Sequence, residues 1–193
     1  GLTAAVKSGG ELRSLGVDTW GVDFGLLDRT GTLLGNPYHY RDHRTDGVVE
    51  ALFQVVPAEQ VFAATGTQIM QINSLYQLYA MVQQRSPVLE VADRYLMMPD
   101  LFHYWLCGEK VVEYSIASTS QCYDVARKAW ATALMGRLGI PTHIFPEVVQ
   151  PGTRLGGLLP SVAERIGRQG VQVVAPACPD TASAVAAVPA RPA

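Results

Sequence analysis

The sequence predicts an α/β fold, and three observations carry that expectation. Short apolar runs end at carboxylates, as Leu15 to Asp18 does, the form of a buried strand that delivers a polar residue at its C-terminal end. Between such runs lie segments with apolar residues at helical spacing, opened by cap residues and closed by glycine. Further on, the β-rich apolar run Val171 to Ala175 leads into Asp180 to Val188, whose composition is that of a helix opening at its carboxylate.

Taken in order, Leu15 to Asp18 and Val22 to Asp28 read as two strands with a sharp bend at Gly21, and Arg29-Thr30-Gly31-Thr32 as the turn of a hairpin. Asp46 to Val55 reads as a helix with Asp46 as its N-cap. Pro57 to Ala64 reads as another, with proline in the first turn and Gly66 beyond its end. Ser74 to Gln84, capped by Asn73, sets Leu75, Leu78, Tyr79 and Val82 at helical spacing. Asp100 to Leu106 is expected to stop at Gly108, Gln150 to Thr153 to be a loop, and Ser161 to Gly167 a short helix.

A buried strand running into a helix that begins with Asp places that carboxylate at the C-terminal edge of a sheet, where ligands of open α/β sheets bind. The same residue has a plain structural use, since an aspartate at a helix start satisfies free N–H groups and complements the helix dipole. Both roles stay open for Asp180 on pattern alone.

Composition narrows the class. With 48% hydrophobic and 17% charged residues the chain is ordinary for a soluble globular protein, and a net charge of −2 without a basic stripe argues against nucleic acid as a partner. No apolar run approaches the roughly 20 residues that span a bilayer, and Gly1 to Gly10 lacks a signal-peptide layout, so the expected location is cytoplasmic. Cys107, Cys122 and Cys178 are odd in number and not closely spaced, which suits reduced thiols. His39 and His43 stand four apart, but Pro37, Tyr38 and Tyr40 point to extended chain there, so no metal site is expected.

The block Gly16-Val17-Asp18-Thr19-Trp20-Gly21-Val22-Asp23-Phe24 is followed by collinear blocks at Tyr40 to Thr45, Asn73 to Leu78, Leu96 to Phe102, Glu113 to Gln121 and Asp180 to Val185. Together they resemble the FGGY family of carbohydrate kinases, and within it the rhamnulokinase branch. That resemblance implies a ribonuclease-H-like (actin-like) N-terminal domain, incomplete at both ends, over residues 1–188, with 189–193 as a tail and no C-terminal nucleotide domain. It implies phosphorylation of L-rhamnulose or a related ketose at its primary hydroxyl, with ATP and Mg²⁺ used by the full-length enzyme. By resemblance Asp180 is the general base, Gly21 lets the sugar approach the backbone, and Trp20, Asp180 and Thr181 contact the sugar.

Bland alternatives stand beside these roles. Trp20 also suits packing, Asp18 and Asp23 suit strand-end carboxylates that bond backbone, and Arg41-Asp42-His43-Arg44 suits a solvated face. No Gly-x-x-x-x-Gly-Lys or Gly-x-Gly-x-x-Gly supplies a nucleotide cradle, so an isolated chain is expected to be inactive. The family usually has His before the catalytic Asp; here Pro179 removes an imidazole and a backbone donor. The competing readings are a different FGGY sugar or polyol kinase and a degenerate sugar-binding module without turnover. The expected partner is a small sugar, and the oligomeric state is left open.

Overall fold

The computed structural model describes residues 1–189; the rest of the expected tail, 190–193, lies outside the described residues. A three-stranded sheet has Gln172–Val174 at its centre, with Ser14–Leu15 parallel on one side and Arg154–Gly157 antiparallel on the other. Beside it, Phe24–Leu27 pairs antiparallel with Arg94–Met97, Phe24 opposite Met97 and Leu27 opposite Arg94. Two shorter pairs complete the strands: Val112–Glu113 runs parallel to Val148–Val149, and Tyr123–Asp124 antiparallel to Ala129–Trp130.

The turn after the second strand forms as the sequence predicts. Asp28 Oδ1 accepts hydrogen bonds from the backbone N–H groups of Thr30 and Thr32, and Leu33 comes back beside Leu27. The helices at Ala58–Thr65, Met98–Cys107 and Pro160–Ile166 stop at Gly66, Gly108 and Gly167, each left-handed. The helix expected from Asp46 begins instead at Val48 with Gly47 at its cap. Asp46 is drawn away because its carboxylate accepts from Gln71 Nε2 at 2.8 Å and faces His43 at 3.1 Å.

The core forms around the Ser74–Gln83 helix, where every residue from Ser74 to Met81 is buried. Apolar spacing accounts for Leu75, Leu78 and Tyr79. Ser74 and Gln77 are buried for another reason, since both donate to the backbone oxygen of Val22. Tyr95, fully buried, has its ring centre 4.9 Å from that of Phe24 and 4.9 Å from that of Phe145, with Trp130 edge-on at 6.1 Å. Burying each such side chain contributes about 1.5–3 kcal/mol. Among the described residues no single helix is long and apolar enough to cross a membrane.

Candidate functional site at the sheet edge

The pairing of Ser14–Leu15 with Gln172–Val173 resumes further along as a parallel bridge between Thr19 and Pro179. Between Leu15↔Val173 and Thr19↔Pro179 the later segment spends six residues where the earlier one spends four, so it bows outward and returns. Gly16 sits at the crossing; a Cβ there would lie 2.8 Å from Val174 O and 2.9 Å from Pro176 Cδ. Thr19 N–H donates to Cys178 O at 3.0 Å, and Asp180 N–H donates to Thr19 O at 2.8 Å. Those two bonds bring Asp180 to the segment that carries Trp20 and Gly21.

The same ladder explains how proline is accommodated at 179. Its neighbours make both bridge bonds, so the missing N–H is not required there. Its carbonyl accepts from Ala182 and Ser183, opening the Asp180–Ala186 helix with Pro179 at the cap position. Asp180 is therefore the first helical residue and not the N-cap. It is exposed, and its Oδ1 accepts from Thr181 N at 2.6 Å and Thr181 Oγ1 at 3.1 Å. Thr181 is exposed beside it.

Trp20 is exposed and fixed at its polar end, where Nε1–H donates to Asp23 Oδ2 at 2.7 Å. Asp23 is buried; desolvation raises its carboxyl pKa, against the lowering effect of hydrogen bonds from Trp20 and Gln77. Gly21 abuts Thr119, whose Oγ1 and Cβ would stand 3.0 Å and 3.2 Å from an added Cβ. The space a side chain would take at 21 is thus held by Thr119. That residue also lines a cleft of about 430 Å³ with Val22, Thr67, Met70, Tyr114 and Ser118. Asp180 and Thr181 are not among its lining residues, so the cleft adjoins Gly21 from the Thr119 side while the carboxylate approaches through Thr19. Val22, Gln77 and Thr119 lie within the blocks that carry the resemblance, but no site role is read for them there, and their part emerges from contacts.

Arg41, Asp42 and His43 form a solvated face, whereas Arg44 turns inward and its Nη2 donates to Gln77 Oε1. Asp42 accepts from Arg44 N–H and caps the short turn His43–Thr45. His39 stacks on Tyr40, with ring centres 4.4 Å apart.

A different trio, Asp100, His103 and Cys178, is buried with donor atoms within 4.8 Å of one another. His103 Nε2 accepts the Val17 N–H at 3.0 Å, so the neutral imidazole carries its proton on Nδ1. A cation at Nδ1 would need the opposite tautomer and would displace Val17. The trio is a buried polar cluster under the site rather than a ready cation cage. Its Asp100 Oδ2 and His103 Nδ1 have no partner among the described residues. Burial lowers the His103 pKa to about 4. Burial also raises the Asp100 carboxyl well above the usual range.

The α/β fold that carries the Asp180 carboxylate and the bend at Gly21 is that of the N-terminal domain of actin-like sugar kinases. The xylulose kinase from Rhodospirillum rubrum shares the fold, with a TM-score of 0.87 at 24% identity over 99% of this chain and 41% of that one. The gluconate kinase from Lactobacillus acidophilus shares it with a TM-score of 0.84 at 16% identity, over 92% of this chain and 36% of that one. Residues 5–186 match the FGGY family of carbohydrate kinases, N-terminal domain, and the chain belongs to that family. Among curated relatives, it is 42% identical to a rhamnulokinase of Bacteroides thetaiotaomicron over 190 residues, covering 98% of this chain and 39% of that protein. It is 44% identical to a rhamnulokinase of Pectobacterium atrosepticum over 177 residues, covering 91% and 34%. The chain thus spans well under half the length of these relatives.

Proposed function

We propose that this chain is the sugar-binding portion of a kinase that phosphorylates L-rhamnulose at its primary hydroxyl, with Asp180 as the general base. The observation that carries the reading is the Asp180 N–H to Thr19 O bond of 2.8 Å, which seats an exposed carboxylate beside Trp20-Gly21. The names of the curated relatives supply the sugar.

Asp180 Oδ1 is engaged by Thr181, which orients the carboxylate and leaves Oδ2 to accept the proton of a sugar hydroxyl as that oxygen becomes the nucleophile. Thr181 Oγ1 and the exposed Trp20 face are the further sugar contacts, and the Trp20 plane is steadied by Asp23. ATP is the expected phosphoryl donor, with Mg²⁺ neutralising charge on the transferred group. Among the described residues the hydrogen-bond partners of Asp180 are Thr19 and Thr181.

Titration with L-rhamnulose, followed by the backbone resonances of the protein, tests the reading. Saturable binding with shifts at Trp20, Gly21 and Thr181 is expected. Asp180→Asn should keep affinity within a few-fold, and in a chain that turns over should lower kcat by about 10²–10⁴-fold. Shifts confined to residues remote from Thr19 and Asp180, or unchanged turnover in Asp180→Asn, would rule it out.

A further inference from the structure

A second cleft, of about 450 Å³, opens beside the Phe24–Leu27 strand and shares no lining residue with the one at Thr119. Phe24, Leu34, Met81 and Val88 give it an apolar wall, with Asn36, Gln84 and Ser86 as polar lining. Arg44 also lines it. The Arg44 guanidinium carbon lies 4.1 Å from the centre of the Tyr38 ring and 5.9 Å from that of Phe24.

Among the described residues no carboxylate pairs directly with this cation; Asp42 and Asp23 favour its charge only from longer range. Its Nη2 donates to the neutral Gln77, and its Nε is buried with no hydrogen-bond partner. Asp42 and Asp46 each stand two residues from Arg44; Asp42 Oδ1 accepts the Arg44 backbone N–H at 2.9 Å, and Asp46 engages Gln71 and His43. Asp23 is engaged by Trp20 and Gln77. A guanidinium stays protonated across the physiological range, so burial leaves it a charge to be matched.

We propose that this cleft binds a small monocarboxylate with an apolar body, the carboxylate on Arg44 and the body against Phe24, Leu34 and Met81. The volume lies in the range of small-molecule sites. A planar guanidinium matches a carboxylate, and the apolar wall favours a singly charged ligand over a dianion, which is harder to desolvate. The proposal is independent of the chemistry at Asp180.

Hexanoate, hexan-1-ol and inorganic phosphate are the probes, titrated separately into the protein by calorimetry and by the ring resonances of Tyr38 and Phe24. Hexanoate should saturate, with the alcohol and phosphate each weaker by about tenfold or more. Arg44→Met should weaken hexanoate to the level of the alcohol, and Arg44→Lys should recover part of the loss. Equal binding of hexanoate and hexan-1-ol, tighter binding of phosphate, or no saturation by hexanoate overturns the proposal. If Arg44→Met fails to fold, the comparison of hexanoate with hexan-1-ol on the unaltered protein still decides it. Because sugar binding is read at Trp20 and Gly21, failure here leaves the kinase reading standing.

Discussion

Val22 follows the glycine at the bend and holds a φ of 68°, a region that β-branched residues rarely enter. Three contacts over-determine it: its N–H faces Thr119 Oγ1 at 3.3 Å, and its oxygen accepts from Ser74 Oγ at 2.6 Å and Gln77 Nε2 at 3.2 Å. Such backbone strain costs on the order of 1–3 kcal/mol. Valine to alanine removes buried surface and keeps the strain, whereas valine to glycine removes both. We expect Val22→Gly to be at least as stable as Val22→Ala in urea denaturation, the reverse of their usual order. A Val22→Ala variant more stable by 1 kcal/mol or so would show that the conformation is unstrained.

Among elements, the helix Tyr114–Thr119 shows how a cap supports the site. Glu113, fully buried, accepts from the backbone N–H groups of Ser115 and Ile116 and from Ser115 Oγ. It also accepts from Cys178 N–H at 3.2 Å, joining this helix to the residues just before Asp180. Glu113→Ala strips acceptors from several buried donors at once and should lower unfolding free energy by about 3 kcal/mol or more. Glu113→Gln keeps one acceptor oxygen and should lose less; equal losses would mean that a single acceptor oxygen does not sustain the cap.

Much of this level was legible in the residues. Gly66 and Gly108 end helices where punctuation placed them, and Asp180 opens its helix after a strand. Asp46 misled because a good N-cap residue was claimed by Gln71, a partner 25 positions away. The expected strand from Leu15 to Asp18 is regular only at Ser14–Leu15, since the bow opposite Gly16 interrupts its ladder. The pairs Val112–Glu113 with Val148–Val149 left no local signal, because two-residue strands lack a period to read. Trp20, Gly21, Asp180 and Thr181 were nameable as candidates through the resemblance of their blocks. What brings Asp180 to Thr19, and Thr119 to Gly21, is long-range contact that spacing does not encode.

At the scale of the molecule, acid sensitivity follows from His103. Its folded pKa, lowered to about 4 by burial, lies below the ordinary value of 6.5. The unfolded chain therefore binds the proton first, and the associated stability is present above the ordinary value and lost as pH falls towards the folded one. Asp100, raised by burial, acts in the opposite sense, since its protonated form is favoured by folding. Comparison with His103→Gln, which retains an acceptor for the Val17 N–H, isolates the histidine. From about pH 7 to about pH 5 the unaltered protein should lose about 2 kcal/mol more than this variant in denaturant titrations. Parallel losses would place the imidazole in contact with water.

The bridge from Thr19 to Pro179 has a consequence for the order of assembly. It joins residues separated by most of the chain, and so does the pairing of Ser14 with Gln172. Closing a loop of that length costs on the order of 4 kcal/mol of chain entropy before any contact offsets it. Helical turns and the Asp28 hairpin need no such closure and form early. The seat of Asp180 is thus completed late on the folding path, and a nascent chain holds its helices well before it holds its proposed base.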